Sequence, residues 1–246
     1  MIVIPMAGAS RRFTEAGYGR PKFELLLDGR CVFDHAVGGF AALFASEPFL
    51  FIVRDAEAAA FVHARAAELG VARAQVVSLG APTAGQAETV SLGLAAAGAA
   101  AGTPLTIFNI DTFRPGYRPP TGSLASMDGW LEVFRGAGAN WSYVRPAPGD
   151  APIALETAEK RPISDLCCTG LYHFTRAADF EAALAAERAA PSMNELYVAP
   201  LYNHLIKRGG RIGYRLIERG EVVFCGTPEE YQGLGGEPPG ETDGRW

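Results

Sequence analysis

Among the 246 residues, the run best placed for chemistry is Ala7-Gly8-Ala9-Ser10-Arg11-Arg12-Phe13, followed by Pro21-Lys22. It comes directly after a short apolar run, Ile2 to Met6. A small-residue turn at the carboxyl end of a strand lets backbone N–H groups approach a polyphosphate or a base edge without Cβ interference. Arg12 and Lys22 are cations within reach of the same turn, suited to bracing phosphoryl oxygens as charge develops. The run is neither a dinucleotide fingerprint nor a P-loop: the third glycine of one and the closing GK[ST] of the other are missing. On glycine and charge alone, a tight turn with solvated arginines explains it equally well.

Asp111 follows a second apolar run containing Leu105, Ile107, Phe108 and Ile110. A carboxylate at a sheet edge suits Mg²⁺, which takes one or two carboxylates and fills its other positions with water and phosphate oxygens. The plain alternative is an aspartate that caps the following turn. Lys160 lies among Glu156, Glu159 and Arg161 and reads on its own as a solvated surface lysine. Glu195 and Tyr197 precede Pro200 and either line a site or decorate a helix whose Leu201, Leu205 and Ile206 face the core. Asp165 is a loop cap or a site residue. His35, His63, His173 and His204 show no metal-ligand spacing and read as structural or exposed. No G-x-S-x-G elbow is present, so Ser164 belongs to no hydrolase signature.

These residues need a scaffold, and the sequence implies one. Strand-like runs at Ile2–Met6, Phe49–Val53, Ala74–Leu79 and Leu105–Ile110 alternate with helical periodicity over 32–44, 56–69 and 86–100. Regular alternation of this kind implies parallel βαβ units with helices on both faces. The second half reads as short strands at 130–134, 141–145, 171–174, 211–216 and 222–224. Helices are expected at 176–188 and around 195–207, the latter started or kinked by Pro200. No linker divides the halves, so residues 1–232 are expected to form a single domain with a mixed-sheet extension. Residues 233–246 are Gly/Pro/acid-rich and are expected to be disordered.

Composition narrows the options. With 48% apolar and 20% charged residues the chain is an ordinary globular protein, and its net charge of −5 argues against a nucleic-acid surface. The four cysteines lack C-x-x-C spacing and are expected to be reduced core residues. No run reaches membrane-spanning length. The N-terminal residues lack the basic segment of a signal peptide, so a cytoplasmic location is expected.

The loop from Ile4 to Phe13, with Ala16-Gly17-Tyr18 and Pro21-Lys22, resembles the signature loop of the sugar-phosphate nucleotidyltransferases, above all the branch found among capsule and surface-polysaccharide enzymes. Ser10 stands for that family's second glycine and Arg11 for its Ser/Thr, while its catalytic arginine maps onto Arg12. The resemblance runs in order through Thr83-Ala84-Gly85-Gln86-Ala87-Glu88-Thr89, Asn109-Ile110-Asp111, Glu159-Lys160 with Ile163-Ser164, Thr169-Gly170-Leu171-Tyr172-His173-Phe174 and Gly226-Thr227-Pro228-Glu229. It covers about residues 1 to 231. It implies a Rossmann-like, GT-A-like three-layer α/β sandwich with a mostly parallel mixed central sheet. It also implies Mg²⁺ as cofactor, and a nucleoside triphosphate and a small phosphorylated substrate as partners; homo-oligomers are common in such families.

By that resemblance Arg12, Lys22 and Asp111 are catalytic, Asp111 also binding the metal. Ala7, Gly8, Ala9, Ser10, Arg11 and Gln86 bind the nucleotide; Lys160, Gly170, Glu195 and Tyr197 bind the acceptor. The reaction implied couples a triphosphate to a sugar 1-phosphate with release of pyrophosphate. Gln86 and the Gly8 backbone point to a pyrimidine base over a purine. One departure stands out: the family places a second carboxylate two residues before G-T-P-E, and this chain has Phe224. Asp165 or Glu195 could supply the missing contact, or the site could rely on Asp111 and the phosphates. Rival readings are a cytidylyltransferase for a non-sugar phosphate or phosphoramidate, a GT-A type glycosyltransferase and a non-catalytic binding subunit.

Overall fold

The computed structural model describes residues 1–240. Its strands are β1 (Ile2–Pro5), β2 (Leu26–Leu27), β3 (Arg30–Cys31), β4 (Phe49–Val53), β5 (Ala74–Ser78), β6 (Leu105–Phe108), β7 (Thr112–Phe113), β8 (Gly129–Arg135), β9 (Ser142–Pro146), β10 (Ala154–Glu159), β11 (Leu166–Phe174), β12 (Ile212–Ile217) and β13 (Val223–Phe224). Its helices are α1 (Arg11–Glu15), α2 (Val32–Gly38), α3 (Ala56–Leu69), α4 (Gln86–Ala96), α5 (Ala177–Ala189), α6 (Leu201–Lys207) and α7 (Pro228–Gly233).

The central nine-stranded sheet runs β10-β9-β11-β6-β1-β4-β5, with β8 on the other edge of β11 and β12 beside β8. β6, β1, β4 and β5 are mutually parallel, and β11 joins β6 antiparallel. This is the α/β arrangement expected. The continuous apolar runs are explained by burial on both faces. On β1, Ile2 and Ile4 enter the core shared with α2 and α3, while Val3 enters the one shared with α4, α5 and α6. On β4, Phe49, Phe51 and Val53 face the first core, and Leu50 and Ile52 the second.

Three expectations are corrected. The helix expected over 32–44 stops at Gly38, and only a 3₁₀ turn, Ala41–Leu43, continues it. It stops where the chain must pass the carbonyl of Arg114: a Cβ on Gly39 would lie 2.5 Å from that oxygen. The helix expected from 195 begins at Leu201 with Pro200 at its N-cap, leaving 190–200 irregular. Strand β10 was not anticipated, because Ala and Glu are poor strand formers. Tertiary contacts supply it. Asn203 on α6 accepts from the Thr157 amide at 2.8 Å and donates to the Thr157 carbonyl at 2.8 Å, completing the edge strand from a side chain. Of the segment expected to be disordered, Glu237 accepts a hydrogen bond from the Tyr18 hydroxyl at 3.2 Å; residues 241–246 lie outside the described residues. No helix among the described residues is long and apolar enough to cross a membrane.

Candidate active site

The glycine loop leaves β1 and turns through Ser10, which has left-handed backbone angles (φ 47°, ψ 32°), into α1. Aromatic packing holds it from behind. Phe13, Tyr18 and Tyr231 form an edge-to-face trio with centroids 5.3–6.1 Å apart, a favoured geometry for aromatic rings. Tyr231 comes from α7, whose start is fixed by a capping box between Thr227 and Glu230. The G-T-P-E segment therefore buttresses the loop. Ala7 is buried; Gly8 and Ala9 are exposed. Arg11 and Arg12 stand exposed on the first turn of α1, and their side chains make no hydrogen bond or ion pair among the described residues. A cavity of about 90 Å³ under the loop is lined by Gly8, Ser10, Lys22 and Ile110, among others. A larger one, about 310 Å³, is also lined by Gly8 and Ser10 and reaches Arg54 and Glu57.

The decisive contact joins the loop to the sheet. Lys22 Nζ lies 2.5 Å from Asp111 Oδ2, with the side chains 20% and 24% exposed. Asp111 sits just beyond β6 and is held through its backbone: its carbonyl accepts from the Cys225 amide at 2.8 Å, and β7 pairs with β13 directly alongside. Three residues on, the buried Arg114 bonds Glu132 at 2.9 Å and Glu221 at 3.1 Å. Burial raises the Glu132 carboxyl pKa, opposed by Arg114. Cys225 beside Asp111 is pushed up to about 12, first by burial and then by the aspartate's charge, so it stays a thiol.

Gln86, at the start of α4, donates to Asn109 Oδ1 at 2.6 Å, joining the Thr83–Thr89 loop to the strand end that carries Asp111. Asn109 packs tightly on Gly170 (φ +93°), where an added Cβ would lie 2.4 Å from the Asn109 amide nitrogen. The glycine of T-G-x-Y is thus required twice, by backbone angle and by space. Asn109 carries no role in the sequence pattern beyond its place two residues before Asp111, which is the signal that marks it.

Lys160 follows the last residue of β10 with a left-handed backbone (φ 53°). Its Nζ donates to the Tyr197 hydroxyl at 2.5 Å and lies 4.7 Å from that ring's centroid. The bond to Tyr197 raises the Lys160 pKa and so favours its charged form. Glu159, its pKa raised by burial, accepts from the Ser142 hydroxyl. Glu195 is exposed and adds negative charge near Lys160 and Glu159. Lys160, Glu195 and Tyr197 are therefore gathered together. Asp165 is paired with Arg135 in an exposed ion pair. The Phe224 ring packs tilted against Trp141, with centroids 4.6 Å apart, and lies 4.9 Å from the Arg219 guanidinium, an aromatic cluster in place of a carboxylate. His173 stacks on Trp130 and bonds Thr106; His204 bonds Glu187. Cys31, Cys167, Cys168 and Cys225 are all buried and free.

The donor set fits Mg²⁺ in its least demanding mode. Asp111 offers one hard, partly exposed carboxylate, shared with Lys22, and the ion would complete its shell from water and substrate oxygens. Glu230 also abuts Gly226 beside Asp111, but it already accepts from the amides of Gly226 and Thr227. No group of three or more His, Cys, Asp or Glu among the described residues could hold a metal by itself.

No family model and no curated protein match the chain. Solved structures do. A nucleoside-diphosphate-sugar pyrophosphorylase from Vibrio cholerae is 49% identical, with a TM-score of 0.91 over 95% of this chain and 99% of that one. A UDP-glucose pyrophosphorylase complexed with UDP-glucose is 16% identical, with a TM-score of 0.72 over 95% and 96%. An inositol-1-phosphate CTP transferase from T. maritima is 13% identical, with a TM-score of 0.68 over 95% and 94%. The last two share the fold. At 49% identity over nearly the whole of both chains, with the glycine loop and Asp111 brought together at one sheet edge, this chain belongs to the nucleoside-diphosphate-sugar pyrophosphorylase family.

Proposed function

We propose that this protein is a Mg²⁺-dependent nucleotidyltransferase that joins a pyrimidine nucleoside triphosphate to a sugar 1-phosphate, giving an activated NDP-sugar for surface-polysaccharide synthesis. The observation that carries the reading is the 2.5 Å contact between Lys22 and Asp111. It supports the reading by setting a cation and a carboxylate side by side at the mouth of the glycine loop.

In the proposed step, an oxygen of the acceptor phosphate attacks the α-phosphorus in line. The bond from that phosphorus to the α,β-bridging oxygen breaks, and pyrophosphate leaves with those electrons. The nucleophile is already an anion, so no general base is needed and catalysis reduces to positioning and charge neutralisation. The backbone amides of Gly8 to Ser10 and the exposed Arg11 and Arg12 receive the triphosphate. Lys22 balances charge on the transferring phosphoryl group, Gln86 meets the base, and Asp111 would hold the metal. When bound, Mg²⁺ supplies charge neutralisation at the phosphoryl oxygens. Lys160, with Tyr197 and Glu195 beside it, receives the acceptor phosphate. The distant neighbours named for UDP-glucose and CTP also handle pyrimidine nucleotides, which supports the choice of base.

The test is a panel in which each common triphosphate is paired with several sugar 1-phosphates, phosphocholine and phosphoramidate, with and without a chelator. Release of pyrophosphate that needs one triphosphate, one sugar phosphate and the metal is expected. Release only with a non-sugar phosphate would replace the acceptor; none at all would reject the reading.

A further inference from the structure

The irregular segment between α5 and α6 touches both halves of the site through adjacent residues. Leu196 is bonded into the nucleotide loop like a short strand: its amide donates to the Ala84 carbonyl at 2.9 Å, and its carbonyl accepts from the Ala87 amide at 2.8 Å. Between those two positions lies Gly85, with φ +146°. A Cβ there would lie 2.6 Å from both the nitrogen and the oxygen of Leu196. The next residue of the nucleotide loop is Gln86, whose amide bonds Asn109. The next residue of the segment is Tyr197, whose hydroxyl holds the Lys160 amine at 2.5 Å. The other end of the segment is tied down as well, since Glu187 accepts from both the Ser192 amide and its hydroxyl.

We infer that Leu196 and Tyr197 couple the two half-sites, with Tyr197 as a positioning residue for Lys160, so that the seating of the nucleotide loop sets the aim of the acceptor lysine. Nothing else needs to move. The backbone bonds of Leu196 fix where Tyr197 begins, and a displacement of the Gly85 turn is passed to the phenol one residue later. Binding energies linked in this way are reciprocal: a nucleotide that orders the loop tightens acceptor binding by the same factor as the acceptor tightens nucleotide binding. The inference rests on the proposed two-substrate reading.

The test is a double-mutant cycle with Gly85→Ala and Tyr197→Phe, using the substrate pair that the panel selects. Gly85 is assigned no substrate contact, and Tyr197 is tested through its hold on the Lys160 amine. Each single variant is expected to raise the acceptor KM by about 5- to 10-fold, with a smaller fall in kcat. In the double variant the effects should not multiply, because the message from Gly85 has lost its last link. Effects that multiply fully would overturn the inference, as would a Gly85→Ala change confined to the triphosphate KM. Should Gly85→Ala fail to fold, the measurement is the factor by which triphosphate tightens binding of inorganic phosphate, by calorimetry, in wild type and Tyr197→Phe. That factor should collapse toward one in the variant, and an unchanged factor would sink the coupling. A wild-type protein inactive across the whole panel would instead remove the two-substrate reading itself.

Discussion

Two lysines mark the two ends of the site, and the protein holds them in different ways. Lys22 meets a carboxylate whose position is set by the sheet: Asp111 follows β6, its carbonyl is bound by Cys225, and Arg114 is locked by buried Glu132 nearby. Lys160 meets a phenol instead of a carboxylate, and both partners stand on irregular backbone, Lys160 in a left-handed turn and Tyr197 in the segment before α6. Elements packed on both faces allow little movement, whereas loops accept sequence change at small cost. Under the proposed function, the difference would give the constant chemistry of phosphoryl transfer to the sheet edge and the choice of acceptor to the loops.

The largest effect should separate the two lysines. Lys22→Met is expected to lower kcat by about 10²-fold or more at saturating substrates, the usual scale for losing one transition-state contact. Lys160→Met should mainly raise the acceptor KM. Steady-state kinetics on both decide it; a KM-only defect in Lys22→Met would break the contrast.

His173 probes the sheet side by pH. Burial lowers its pKa from 6.5 to about 4. The unfolded chain therefore binds a proton that the folded chain refuses between those values, so stability is lost as pH falls from about 6.5 toward 4. The loss should reach up to about 3 kcal/mol. Urea unfolding at pH 7 and pH 4.5 should show His173→Gln losing less than wild type. Gly170→Ala forces a side chain into the left-handed region against Asn109 and should cost about 2 kcal/mol in the same assay. Smallest is Thr227→Ala, which removes the cap of α7 behind the glycine loop and should lower stability by about 1 kcal/mol.

The parallel half of the fold was legible because β1, β4 and β6 are buried on both faces and read as apolar runs; Phe49–Val53 and Ala56–Leu69 match their elements at both ends. The second half was less so. β10 exists because Asn203 and β9 complete its bonds, which no local propensity reports. The Asp-Gly turn between β2 and β3, with both residues at positive φ, carried a hairpin signal that went unread. Within the site, the residues of the glycine loop and Asp111 were visible from type and spacing. The partners that orient the rest, Asn109 for Gln86 and Tyr197 for Lys160, are contacts between residues 23 and 37 positions apart, and only folding brings them together.

The most direct measurement follows the label. Wild-type protein would be given the acceptor selected by the panel and a triphosphate carrying radioactive phosphorus at either the α or the γ position. Nucleotidyl transfer requires α-label to appear in the acceptor product and γ-label to leave as pyrophosphate, with both lost in Asp111→Ala. Transfer of γ-label to the acceptor, or α-label recovered only as free nucleoside monophosphate, would contradict it.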